Sequence, residues 1–186
     1  MKRALYILGQ LDDLDIEWLI QNGKRDPAPA GTVLIREKAP NENLYVVLSG
    51  EFAVSIQGAG AKGQSRQIAK LGSGEMLGEV SLVDGSAASA TVTASADAAV
   101  LRVPHSALTA RLEEDPAFSG RFYKAISLFL ADRLRSTVRQ LERSGGAVAP
   151  LDDEEESADE VNLNVLENVH LAGRRFLRIL EVLQGS

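Results

Sequence analysis

The stretch Gly74–Ser95, GEMLGEVSLVDGSAASATVTAS, gathers the residues whose types and spacing could do chemistry. Gly78 lets the backbone come close to a ligand. Glu79 follows it at the head of a short apolar turn, where free N–H groups can face an anion. Val80 and Ser81 continue the turn, and Ala88, Ser89, Ala90 and Thr91 follow with small or hydroxyl side chains. The pattern reads as a frame for a phosphate, with small residues where a cation should stand. Nothing else in the chain competes with it. His105 and His170 lie far apart in helical contexts, and neither has a carboxylate or nucleophile at a recognisable spacing. The glycines of GAGAKG, Gly58–Gly63, read as a hairpin loop, since no helix follows as a P-loop needs.

Composition narrows the field further. At 186 residues the chain suits one domain with an appendage. It has no cysteine, which excludes disulfides and thiolate chemistry and leaves zinc two histidines and carboxylates. No apolar run is long enough to span a bilayer, and no leader pattern follows Met1-Lys2-Arg3, so the expectation is a soluble, cytoplasmic, membrane-free protein. A formal charge of −6 argues against general binding to nucleic acid.

The elements that must position the Gly74–Ser95 frame show as changes of period. Asp12–Asn22 opens acidic and places Leu14, Trp18 and Leu19 at helical spacing, until Pro27, Pro29 and Gly31 break it. From about 31 to 104 the runs TVLI, LYVVL, EFAVSI, QIAKL, SATVTA and AAVLRV are short, β-branched or alternating, with glycine turns between them. That texture predicts an antiparallel β-roll or jelly roll. After Pro104, His105–Glu113 forms a short helix. Asp115 then caps a long one, about 116 to 143, with Pro116 at its first position. Its apolar stripe is Phe122, Ile126, Phe129, Leu130, Leu134, Val138 and Leu141, one face of which suits the roll and another a partner.

Beyond Gly145-Gly146, residues 144–160 read as a Gly-rich and acidic linker, with seven of the ten residues in LDDEEESADE acidic. The tail, 161–186, is amphipathic. Leu166, Val169, Gly173, Phe176, Leu180 and Leu183 recur in steps of three and four, with Arg174, Arg175 and Arg178 clustered among them. Such a helix docks on the roll, pairs with its counterpart, or receives another protein. The fold class expected is thus mainly β with flanking helices: an N-terminal helix, a roll, a long C-terminal helix of dimer type and an extra amphipathic helix.

From Leu8 to Arg143 the chain resembles the cyclic-nucleotide-binding domain of Crp–Fnr regulators, protein kinase A regulatory subunits and nucleotide-gated channels. Gly31 and Ile35, LYVVLSGEFAV, GEMLGEVSLV, SATVTA and the capped DPAF…LADRLR helix carry the resemblance, in the family's order. It implies that Gly78–Thr91 is a phosphate-binding cassette for cAMP or cGMP. In the family a glutamate here bonds the ribose 2′-hydroxyl, an arginine neutralises the cyclic phosphate, and a small neighbour adds a contact. Glu79 and Ser89 match. The family's Pro-Arg pair falls on Ala87-Ala88, so the arginine is missing. Losing one charge-assisted bond weakens binding roughly 10- to 150-fold. Arg66 and Arg102 are the cations considered as replacements. Glu79 either keeps its ribose role or caps and pairs locally.

Aligned through Ala131–Leu134, Thr137 falls where Crp-like proteins contact adenine. The resemblance also implies a homodimer through the long helix and no cofactor. The residues after that helix open with an acidic run and lack a partner helix of adequate length, so they are not expected to form the family's winged helix-turn-helix. The expectation is a non-enzymatic regulatory or scaffolding module with weak, altered or lost nucleotide binding. Its tail offers a protein-docking helix. A cAMP or cGMP sensor with a substitute cation is the alternative, and a DNA-binding regulator ranks behind both.

Overall fold

The computed structural model describes residues 4–58, 65–143 and 163–184, with side chains over 7–58, 65–135, 137–138 and 170–183. Residues 59–64 of the glycine loop and residues 144–162, which hold the linker, lie outside the described residues, as do the side chains of Leu141, Leu166 and Val169.

Two helices lead in, α1 (Ala4–Gln10) and α2 (Asp13–Asn22). The strands are β1 (Lys24–Ala28), β2 (Val33–Ile35), β3 (Asn43–Ser49), β4 (Phe52–Gln57), β5 (Ser65–Leu71), β6 (Met76–Leu77), β7 (Thr91–Ala94) and β8 (Ala98–Pro104). A short helix, α3 (Glu79–Asp84), lies between β6 and β7. Helices α4 (His105–Glu114), α5 (Pro116–Arg143) and α6 (Leu163–Gln184) follow the roll. The strands make two four-stranded antiparallel sheets, ordered β1-β8-β3-β6 and β2-β7-β4-β5.

Alternation along β3 and β8 explains the layering. Leu44, Val46, Leu101 and Val103 face the helices, and Tyr45, Val47 and Val100 face the second sheet, where Phe52, Val54 and Val92 meet them. One sheet is therefore buried on both faces, which is why LYVVL reads as a continuous apolar run. The helical layer is built on α1 and α5: Ile7, Leu8, Leu11, Phe118, Phe122 and Ile126 are nearly inaccessible to solvent.

Three expectations change. The roll begins at Lys24 rather than near 31, because KRDPA is an edge strand on β8, a place where Pro27 needs no ladder N–H. Leu14 is exposed; α2 instead buries Asp15, Ile16, Leu19 and Ile20. The long-helix stripe divides: Phe122, Ile126 and Phe129 are buried in the chain's own core, so no second copy can reach them. Leu130 packs on that core, while Leu134 and Val138 stay exposed.

The tail docks in cis. Ala172 and Ile179 are fully buried, and Phe176, Leu180 and Leu183 pack against the same cluster as Ile7 and Leu8. Arg175 donates from Nη1 to the carbonyls of Leu8 and Gly9, at 3.0 and 3.2 Å, closing the last turn of α1, and from Nε to Asp13 at 2.8 Å. Arg178 donates to Glu17 at 3.0 Å. Two of the three tail arginines are thus occupied by α1 and α2.

Candidate ligand pocket

The frame read from Gly74–Ser95 folds as one wall of a pocket. Gly78 has φ of 86°, a left-handed conformation, and a Cβ there would stand 2.3 Å from the Asn43 carbonyl oxygen. Only glycine fits both demands. It caps α3, whose first residue, Glu79, points inward and is 2 % exposed. Val80 and Ser81 continue the wall, and Ala88, Ser89 and Ala90 come round from the loop that ends at β7. Ile35, Val54, Leu77 and Val92 make an apolar floor, and Asn41 closes one side.

The fifth cassette position to matter is Ala88, and its backbone is already engaged. Its N–H donates to the Ala39 carbonyl at 3.0 Å, and its carbonyl accepts from Lys38 N–H at 2.7 Å. It offers an incoming anion neither a side-chain cation nor an N–H. No lysine or arginine lies between Lys70 and Arg102 in the sequence.

A cation is nevertheless present. Arg133, on α5, lines the pocket and donates from Nη1 to Glu79 Oε1 at 3.0 Å. Burial pushes the Glu79 carboxyl above its ordinary range, against the opposing pull of the Arg133 charge and hydrogen bond. With the arginine in place the space left is about 50 Å³, room for a water or two.

The cations weighed from sequence are elsewhere. Arg102 donates to Asp26 across the β1–β8 pair, which also raises its own pKa through that hydrogen bond. Arg66 is exposed on β5. Thr137 does not line the pocket; its exposed hydroxyl donates back to the Arg133 carbonyl at 2.9 Å. The helix instead sends in the residue one turn earlier. Thr137 and Arg133 share a helical face at a spacing of four, so stepping back from the position matched to the family would have reached it. Glu79 does pair, as one reading held, but with a partner 54 residues away.

His105 starts α4 with Nε2 buried and unpartnered, and burial lowers its pKa below the ordinary value. Among the described residues no cluster of His, Asp and Glu could hold a metal, and no helix is long and apolar enough to cross a membrane.

Comparison with known proteins agrees with this layout. Residues 25–115 match the family model described as cyclic nucleotide-binding domain. An uncharacterized NTE family protein of Mycobacterium tuberculosis (strain H37Rv) is 30 % identical over 129 residues, 69 % of this chain and 21 % of that protein. The chain thus spans about a fifth of the length of that curated relative. Among solved structures, the N-terminal domain of a transcriptional regulator from Streptomyces coelicolor is 28 % identical, with a TM-score of 0.60 over 74 % of this chain and 92 % of that one. The regulatory domain of Toxoplasma gondii PKA, crystallised with cAMP, is 28 % identical with a TM-score of 0.53, covering 59 % of this chain and 42 % of that one. Residues 25–115, the β-roll with the helix that follows it, thus belong to the cyclic nucleotide-binding domain family.

Proposed function

We propose that this chain is a non-catalytic regulatory module in which the cyclic nucleotide response of the family is weakened or lost. One observation carries the reading: the chain's own Arg133 lines the pocket and is bonded to Glu79, and no cation stands at Ala88. A cyclic phosphate beside Glu79 would meet a buried carboxylate without the compensating charge its relatives supply. The remaining space is far below the several hundred Å³ of a small-molecule site, so α5 must withdraw before a nucleotide enters. The module then acts through its helices. Leu134 and Val138 offer a face for a second copy, and the outer side of α6, where Leu177 is exposed, is the part of the tail left for a protein partner.

A second reading is favoured by the same arginine. Nη1 serves Glu79, and the guanidinium has further donors that could clamp a phosphate, making the chain a cAMP or cGMP sensor with its cation on α5. Calorimetric titration of wild type and Arg133→Ala with cAMP and cGMP at millimolar ligand separates the two. Absence of binding in both supports the module with a lost response. Micromolar binding in wild type that disappears in the variant establishes the sensor.

A further inference from the structure

The roll itself brings one charge to the pocket, and that charge is negative. Asn41, Ser81 and Ser89 are polar but neutral, and the floor is aliphatic. Glu79 is the sole ionisable group that the described roll residues place there. Its side chain is 3 % exposed, too dry to be satisfied by bulk water. The N–H of Ala88, a lining residue, is held by the Ala39 carbonyl. A pocket framed for an anion has therefore become, electrostatically, a site for a cation.

Its present occupant has the matching chemistry. A guanidinium donates to the carboxylate at 3.0 Å, and its arginine is part of the pocket lining. We infer that the roll is a cation pocket with Arg133 as its tethered occupant, and that the free ligands it accepts are small guanidinium compounds presenting N–H donors to Glu79. This rests on the reading that the cassette has lost its response to cyclic nucleotides. Tethering gives Arg133 an effective concentration in the millimolar range, so the wild-type chain masks the affinity of its own site. Emptying the site should reveal it.

The test is thermal unfolding of the full chain as Arg133→Ala, with ethylguanidinium as probe at low millimolar concentration and sodium chloride at equal ionic strength as control. At ten times its dissociation constant the probe should raise the Tm of Arg133→Ala by about 3–6 °C. The same probe should leave Arg133→Ala/Glu79→Gln unmoved, which removes any general effect of the salt. Should Arg133→Ala fail to fold, Arg133→Gln vacates the charge while keeping the bulk and takes its place. No shift in a folded variant overturns the ligand class and leaves the regulatory reading standing. A shift of the wild type by cAMP overturns both.

Discussion

Arg133 Nη1 and Glu79 Oε1 stand 3.0 Å apart, joining the long helix to the head of the cassette helix across 54 residues of sequence. The carboxylate is buried and the guanidinium about two-fifths exposed, so one partner is dry and the other wet. Removing the wet partner leaves a dry charge behind, and that asymmetry decides how the pair responds to change.

The pH response of Glu79 follows from its direction of shift. Burial raises its folded pKa above the ordinary value of 4.5. Protonation is then favoured by the folded state, so this group's contribution to stability is full below 4.5 and is lost as pH rises through the folded value. Urea melts at pH 5 and pH 7 should find wild type gaining on Glu79→Gln at the lower pH. An unchanged difference would mean the carboxylate titrates as though exposed.

Asp15 has the opposite sign. Its burial would push the carboxyl up, but hydrogen bonds from Arg121 at 2.7 and 2.9 Å and from the Asp12 amide, with the Arg121 charge, together hold it below 3.8. Its stabilisation is present above 3.8 and fades as pH falls through the lower folded value. Asp15→Ala removes a fully buried acid that also closes the capping box of α2. The cost expected at pH 7 is about 3 kcal/mol, the low end for breaking a buried pair because Arg121 is partly exposed. Equilibrium denaturation should show the loss shrinking at pH 3.

Two glycines with positive φ separate strain from collision. Gly78 has φ of 86° and no room for a methyl group, whereas Gly85 has φ of 68° and open space around it. Gly85→Ala should cost about 1–2 kcal/mol, the left-handed penalty alone. Gly78→Ala must also push back the Asn43 carbonyl, and its denaturation midpoint should fall well below that of Gly85→Ala. Equal losses would show that β3 yields easily.

Along α5 the apolar stripe should divide by readout. Phe122→Ala empties a fully buried site and should cost about 3–5 kcal/mol. Leu134→Glu with Val138→Glu alters exposed positions and should leave the Tm nearly unchanged while light scattering falls from dimer to monomer mass. A monomeric wild type would remove the second-copy face from the proposal.

Much of the roll was legible because alternation is local. LYVVL, EFAVSI and AAVLRV each declare both their faces within a few residues, and Gly78-Glu79 marks the head of the cassette without reference to anything distant. What stayed hidden depended on partners far along the chain. KRDPA reads as charged and broken until β8 pairs with it. Arg133 is one of several arginines on a helix surface until α5 lies over the cassette. In α6 the phase itself was ambiguous: Leu177, Ile179 and Leu180 crowd together, and only docking on α1 buries Ile179 and leaves Leu177 exposed.

The closure of α1 by Arg175 sets an order of events during synthesis. The carbonyls of Leu8 and Gly9 receive their donor from a residue 166 to 167 positions later. At roughly 5–20 residues per second, the ribosome makes the first helix wait about ten to thirty seconds for that guanidinium. Throughout that interval Ile7 and Leu8 lack the Ala172 and Ile179 side of their cover. The nascent chain therefore carries an adhesive face on α1 while its roll is already complete, and α6 relieves it when it follows.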